Sequence, residues 1–120
     1  MKFVDILYSK SDGVARVTIN RPEVYNAIRG RTTDEMSEAL LDASKDPEIR
    51  VVVIAGTGSN AFCSGRDQSE DPTTEAYRGT SEHSIFDLIR KMAMPVIAKV
   101  DGFAIGSGNI LAYMCDFTVA

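Results

Sequence analysis

The sequence has one histidine, two cysteines and four prolines in 120 residues, and no excess of positive charge. Each shortage excludes something. A lone His83 lacks the partners that a catalytic triad or a histidine-rich zinc site requires. Cys63 and Cys115 lie far apart in a chain without an export signal, so a disulfide scaffold is not expected; two buried, inert thiols in a reducing cytoplasmic setting are. Lys and Arg number 13 against 17 Asp and Glu, giving a formal net charge of −4 with the two signs interspersed. No basic stripe invites a nucleic-acid backbone. No apolar run is long enough to span a bilayer, and the start lacks the basic, apolar and small-residue succession of a secretory signal. What is present is an apolar fraction of 44%, enough to build one core.

The order of elements follows from periodicity and turn chemistry. Ile6 to Lys10 and Val14 to Ile19 are β-rich runs joined by Ser11-Asp12-Gly13, a hairpin signal. Thr32 with Glu35 three residues later has the spacing of a capping box, and Met36, Ala39, Leu40 and Ala43 recur at helical intervals. Pro47 closes that helix. Val51 to Ala55 and Val96 to Val100 are continuous apolar runs, read as strands covered on both faces and expected to be parallel neighbours. Between them, Ile85, Leu88, Ile89 and Met92 predict a second helix, ended by Pro95. A third is expected over Asn109 to Cys115, and Phe117 to Ala120 begins a further strand. The succession predicts a layered α/β fold in a single unit. The last strand would present an unpaired edge, which reads as the N-terminal part of a larger domain, incomplete at its C-terminus and prone to associate when expressed alone.

Several motifs carry possible chemistry. Gly56-Thr57-Gly58-Ser59-Asn60-Ala61 matches the dinucleotide fingerprint, but Phe62-Cys63-Ser64-Gly65 continues as loop where a helix should open. Ser107 has glycine at 106 and 108, not at the 105 and 109 of a nucleophile elbow. Two segments remain, Ala61 to Gln68 and Gly102 to Gly108, each following an apolar strand. They could be ordinary strand-to-helix turns that use glycine for its backbone freedom. Alternatively, their backbone N–H groups, one set at a helix N-terminus, could converge on an oxygen that gains negative charge.

Asn20-Arg21-Pro22 with Asn26-Ala27, Ala61-Phe62-Cys63-Ser64-Gly65 followed by Asp67, Gly102 to Gly108, and Met114-Cys115-Asp116 occur in the order and spacing of the crotonase superfamily, which the whole chain resembles. The resemblance implies the crotonase-like ββα superhelix and an acyl-CoA-transforming enzyme that binds an acyl-CoA thioester and stabilises its enolate. Coenzyme A would enter as part of the substrate, with no covalently bound cofactor, no metal, and a homotrimer or hexamer for the full-length protein. By the motif match, Arg66 and Ser107 supply the two oxyanion-hole N–H groups. Ser64, Gly65, Asp67, Gln68, Tyr77, Phe103, Ala104, Ile105 and Gly106 line the acyl-CoA pocket. For Asp67, a loop carboxylate that caps nearby N–H groups is the alternative.

The sequence also departs from the family pattern. Enoyl-CoA hydratases of this type carry a glutamate two residues after the last glycine of the second segment; here Ile110 stands there and cannot transfer a proton. Ser64 to Gln68, Gly108 to Leu111 and Cys115-Asp116 resemble a subgroup that includes 1,4-dihydroxy-2-naphthoyl-CoA synthase and 2-ketocyclohexanecarboxyl-CoA hydrolase. That resemblance implies ring-closing condensation or ring-opening hydrolysis of a cyclic acyl-CoA. Tyr25 occupies a position where the synthase has a CoA-contacting arginine, which favours the hydrolase. An enoyl-CoA hydratase or isomerase, and a truncated protein that keeps the fold without turnover, are the alternatives.

Overall fold

A computed structural model describes residues 2–69 and 82–120. The first strands, β1 (Ile6–Ser11) and β2 (Val14–Ile19), form an antiparallel hairpin in which Ser11 faces Val14. Asp12 and Gly13 turn it with φ of 52° and 79°, the doubly left-handed pair whose twist matches that of the strands. Ala15, Val17 and Ile19 are buried on one face of β2, while Arg16 is exposed.

Helix α1 (Gly30–Lys45) lays Thr32, Met36, Ala39, Leu40 and Ala43 against the sheet. It begins two residues before the expected Thr32. The backbone N–H of Arg29 donates to Thr32 Oγ1 at 3.2 Å, so Thr32 serves at the third helical position. Glu35 is not the partner in a capping box with Thr32; its carboxylate accepts from the N–H groups of Val4, Asp5 and Ile6 at 2.8–3.2 Å and caps the entrance of β1. The helix stops before Pro47, which cannot continue it.

The next elements are β3 (Val51–Gly56), β4 (Ala61–Cys63), α2 (Glu82–Lys91), β5 (Val96–Lys99), β6 (Phe103–Ala104), α3 (Ser107–Met114) and β7 (Phe117–Val119). Among the described residues the main sheet has the order β1-β2-β3-β5-β7, parallel from β2 onward. β3 and β5 are direct parallel neighbours, with Val52 opposite Val96 and Ala55 opposite Lys99, as the apolar runs predict. Their coverage differs from the expectation. Val52, Ile54, Val96 and Ala98 are fully buried, whereas Val53 and Ile97 on the other face are half-buried. Apolar composition alone does not tell two-sided from one-sided burial.

The core gathers the inward side chains of the sheet with α1, α2 and the inner face of α3, including Ile85, Ile89 and Leu111. Asp116 aligns β7 with β5: its N–H donates to the Val96 carbonyl at 2.8 Å, and its Oδ2 accepts from the Val96 N–H at 2.7 Å. Both cysteines are buried thiols outside any disulfide, and burial pushes the Cys115 thiol up to about 12. Among the described residues no helix is long and apolar enough to cross a membrane.

Candidate active site

Strands β3 and β5 end side by side, and each passes into one of the two glycine-containing segments. These segments are joined by a small second sheet, β4 with β6, in which Ala61 faces Phe103 and Cys63 faces Ala104. The Ile105 N–H donates to the Cys63 carbonyl at 3.0 Å and the Phe103 N–H to the Asn60 carbonyl at 3.2 Å. Gly108, in the first turn of α3, comes so close that a Cβ there would lie 2.1 Å from the Cys63 carbonyl oxygen. Only glycine permits that approach. The contact presses the N-terminus of α3 onto the end of β4, so the two segments meet at one place.

There they enclose an open cleft of about 660 Å³. Ser64, Gly65, Arg66, Asp67 and Gln68 form one wall, Ile105 and Gly106 another, and Glu23, Val24, Tyr25 and Ala27 the rest. Seven of the residues anticipated from sequence thus meet at the cleft. Phe103 and Ala104 do not line it; they form β6 and hold the segments in register, Phe103 with its ring largely exposed. Ser107 is the first residue of α3, a position whose N–H has no acceptor within the helix and lies at the positive end of its dipole. Tyr77 lies outside the described residues.

The backbone at Arg66 is oriented by an isolated parallel bridge to Ile28. The Ile28 N–H donates to the Gly65 carbonyl at 2.9 Å, and the Asp67 N–H donates to the Ile28 carbonyl at 2.7 Å. In a parallel ladder the residue flanked by two such bonds turns its own N–H and C=O to the opposite side. Arg66 is that residue. Gly65 makes the turn possible with φ of 106°, which side chains rarely adopt.

Asp67 is a structural anion, in line with the capping alternative. Its Oδ1 accepts from the Ser69 hydroxyl at 2.7 Å and the Ser69 N–H at 2.9 Å, and its Oδ2 from Arg21 Nη2 at 2.9 Å. The Ser69 bonds and the Arg21 guanidinium hold its carboxyl down at about 2, so it is ionised at neutral pH and has no proton to give. Arg21 is buried, and its Nη1 also donates to the Ala27 carbonyl at 2.6 Å. Behind it, Asp5 receives both a two-pronged bond from Arg29, at 2.7 and 2.8 Å, and one from Thr32 Oγ1 at 2.7 Å. Burial opposes ionisation of Asp5, but these bonds and the charges of Arg29 and Arg21 hold its carboxyl below the usual range.

Asn26 completes the framework. It is fully buried, accepts from the Arg21 N–H at 2.9 Å, and donates to the Ala61 and Thr57 carbonyls at 2.8 and 3.1 Å. In the sequence, Asn20 to Ala27 is visible only as a family signature, and nothing in it foretells that Arg21 and Asn26 bind the first segment. Residue type points the other way, since Asn and Arg in a turn next to proline are ordinarily exposed. The dinucleotide fingerprint is not a nucleotide site: after Gly56 the chain bends into β4, not into a helix. Ile110 stands one turn into α3, 48% exposed and apolar. Among the described residues no cluster of three or more His, Cys, Asp or Glu could hold a metal ion.

The frame is a layered α/β fold whose cleft is walled by two glycine segments, with the lining carboxylate of the first segment paired to arginine. The model of the enoyl-CoA hydratase/isomerase family matches residues 9–120. An enoyl-CoA hydratase from Mycobacterium avium subsp. paratuberculosis is 33% identical with a TM-score of 0.88, over 98% of this chain and 47% of its own. An enoyl-CoA hydratase/carnithine racemase from Magnetospirillum magneticum is 30% identical with a TM-score of 0.85, over 98% and 46%. The chain belongs to the enoyl-CoA hydratase/isomerase family of the crotonase superfamily. It spans about half the length of these solved structures.

Proposed function

We propose that the cleft binds an acyl-CoA thioester and stabilises negative charge on its carbonyl oxygen between the backbone N–H groups of Arg66 and Ser107. One observation carries this reading: the Ile28 bridge turns the Arg66 N–H away from its own anchoring segment, while the Gly108 contact brings the head of α3 to the same cleft. Two fixed dipoles aimed at a developing oxyanion need no reorganisation when charge appears, which is the economical way to lower an enolisation barrier. The choice of reaction turns on position 110. Isoleucine there cannot move a proton, and Asp67 is committed to Arg21 and Ser69, so the two glycine segments supply the oxyanion site without a general acid or base at either position. That disfavours the two-glutamate addition of water and favours a reaction in which a carbon–carbon bond is made or broken through the thioester enolate, as in ring-opening hydrolysis or ring-closing condensation of a cyclic acyl-CoA by a homo-oligomer, with the proton carried by a group outside these two segments. The similar solved structures, described as enoyl-CoA hydratases, favour a second reading, an enoyl-CoA hydratase or isomerase.

Titration with acetoacetyl-CoA tests the proposal, because its enolate has a near-ultraviolet band that the keto form lacks. Saturating protein should bring up the band at neutral pH. Absence of the band while the ligand binds overturns the oxyanion assignment. Turnover of crotonyl-CoA at a rate above that of a cyclic β-ketoacyl-CoA selects the hydratase reading over ring chemistry.

A further inference from the structure

The bridge that orients Arg66 has two rails, Ala27-Ile28 and Arg66-Asp67, joined by two hydrogen bonds. Two bonds alone are a weak constraint on a surface loop. Arg21 adds a third and fourth point of attachment, one on each rail: Nη1 on the Ala27 carbonyl at 2.6 Å and Nη2 on the Asp67 carboxylate at 2.9 Å. Both partners adjoin the bridged pair. The side chains of Arg21 and Asp67 are only 9% and 11% exposed, so solvent competes little for the bond. Arg21 is itself held, by its N–H on Asn26 Oδ1 at 2.9 Å and by Asp5 4.0 Å from its Nε. A planar guanidinium can span two acceptors at fixed separation; a lysine ammonium, as a point charge, does so poorly.

We propose that Arg21 is a positioning residue for the oxyanion site: by stapling Ala27 to Asp67 it fixes the direction in which the Arg66 N–H points. The inference rests on the oxyanion reading above, with Arg66 as a donor. Removing one partner of the ion pair does not separate a staple from a purely stabilising pair, because it strands a buried charge and costs stability in either case. Removing both, in Arg21→Met with Asp67→Asn, strands none. A stabilising pair would then be dispensable, whereas a staple would still be missing.

The test uses the acetoacetyl-CoA enolate band at ligand saturation, the ligand dissociation constant by calorimetry, and the melting temperature. For the double variant we expect a cooperative melt, a dissociation constant within about threefold, and a saturated band reduced by about tenfold or more, since a misaligned donor loses much of the 10²–10³-fold worth of an oxyanion group. Arg21→Lys should retain part of the band. Should either single substitution unfold the chain, the doubly neutral variant carries the test. A double variant that melts normally and gives the full band overturns the positioning role. An unaltered chain that binds acetoacetyl-CoA without the band overturns the oxyanion reading, and this inference falls with it.

Discussion

Replacing Ser107 by proline removes one N–H from the proposed site and changes little else. Ser107 is the first residue of α3, where proline's fixed φ suits the helix and its missing N–H has no intrahelical acceptor to lose. Proline also restricts the residue before it, through a clash of its ring with that residue's N–H in the helical region and with its Cβ. Gly106 has no Cβ, and its ψ of −121° lies far from the helical region. Stability should therefore change by no more than about 1 kcal/mol. The enolate band, or turnover of a responsive acyl-CoA, should fall by ~10²–10³-fold, equivalent to about 2.7–4 kcal/mol for one oxyanion donor. Ser107→Ala keeps the amide and should keep most of the signal. Thermal melts and acetoacetyl-CoA titrations on both variants decide the matter. A folded Ser107→Pro with an undiminished band refutes the backbone mechanism, and a folded Ser107→Ala that loses the band assigns the chemistry to the hydroxyl.

Gly108→Ala would place a methyl group 2.1 Å from the Cys63 carbonyl oxygen, so α3 must move off β4; the band should be lost and the melting temperature lowered, as read by spectroscopy and calorimetry. Asn26→Ala leaves the Ala61 and Thr57 carbonyls and the Arg21 N–H without their side-chain partner, and urea unfolding should show a loss of roughly 3 kcal/mol or more at about 1–3 kcal/mol per orphaned buried group. Asp67 and Asp5 both have folded-state pKa values below the ordinary 3.8, so their contribution is complete above about pH 4 and is lost as pH falls through the folded values, which for Asp67 is about 2. The urea midpoint should drop across that range, and Asp67→Asn, less stable at neutral pH, should show the shallower dependence.

The sheet and helices were legible because β2 alternates, α1 and α2 repeat at helical spacing, and Asp12-Gly13 and Pro47 mark their own boundaries. The parallel pairing of β3 with β5 followed from two apolar runs that each lead into a glycine turn. Other features were decided by partners distant in sequence. Glu35 has capping spacing from Thr32 but serves β1 some 30 residues earlier, a choice that only tertiary packing makes. β4 and β6 are too short to carry a periodic signal, since Phe103–Ala104 has only two residues. The cleft segments were found by glycine placement and family resemblance, but the Arg21 contacts join residues 46 positions apart through a turn that composition reads simply as loop. Phe103 and Ala104, expected in the pocket wall, serve the register of the two segments instead.

The backbone amide spectrum of ¹⁵N-labelled protein during titration with acetoacetyl-CoA probes the two proposed donors themselves, because a hydrogen bond to an oxyanion moves the donor proton strongly downfield. A backbone oxyanion site requires that Arg66 and Ser107 show the largest downfield shifts, together and saturating with the enolate band. Saturation of the ligand with both amides unmoved, or with the large shifts confined to other residues, would contradict it.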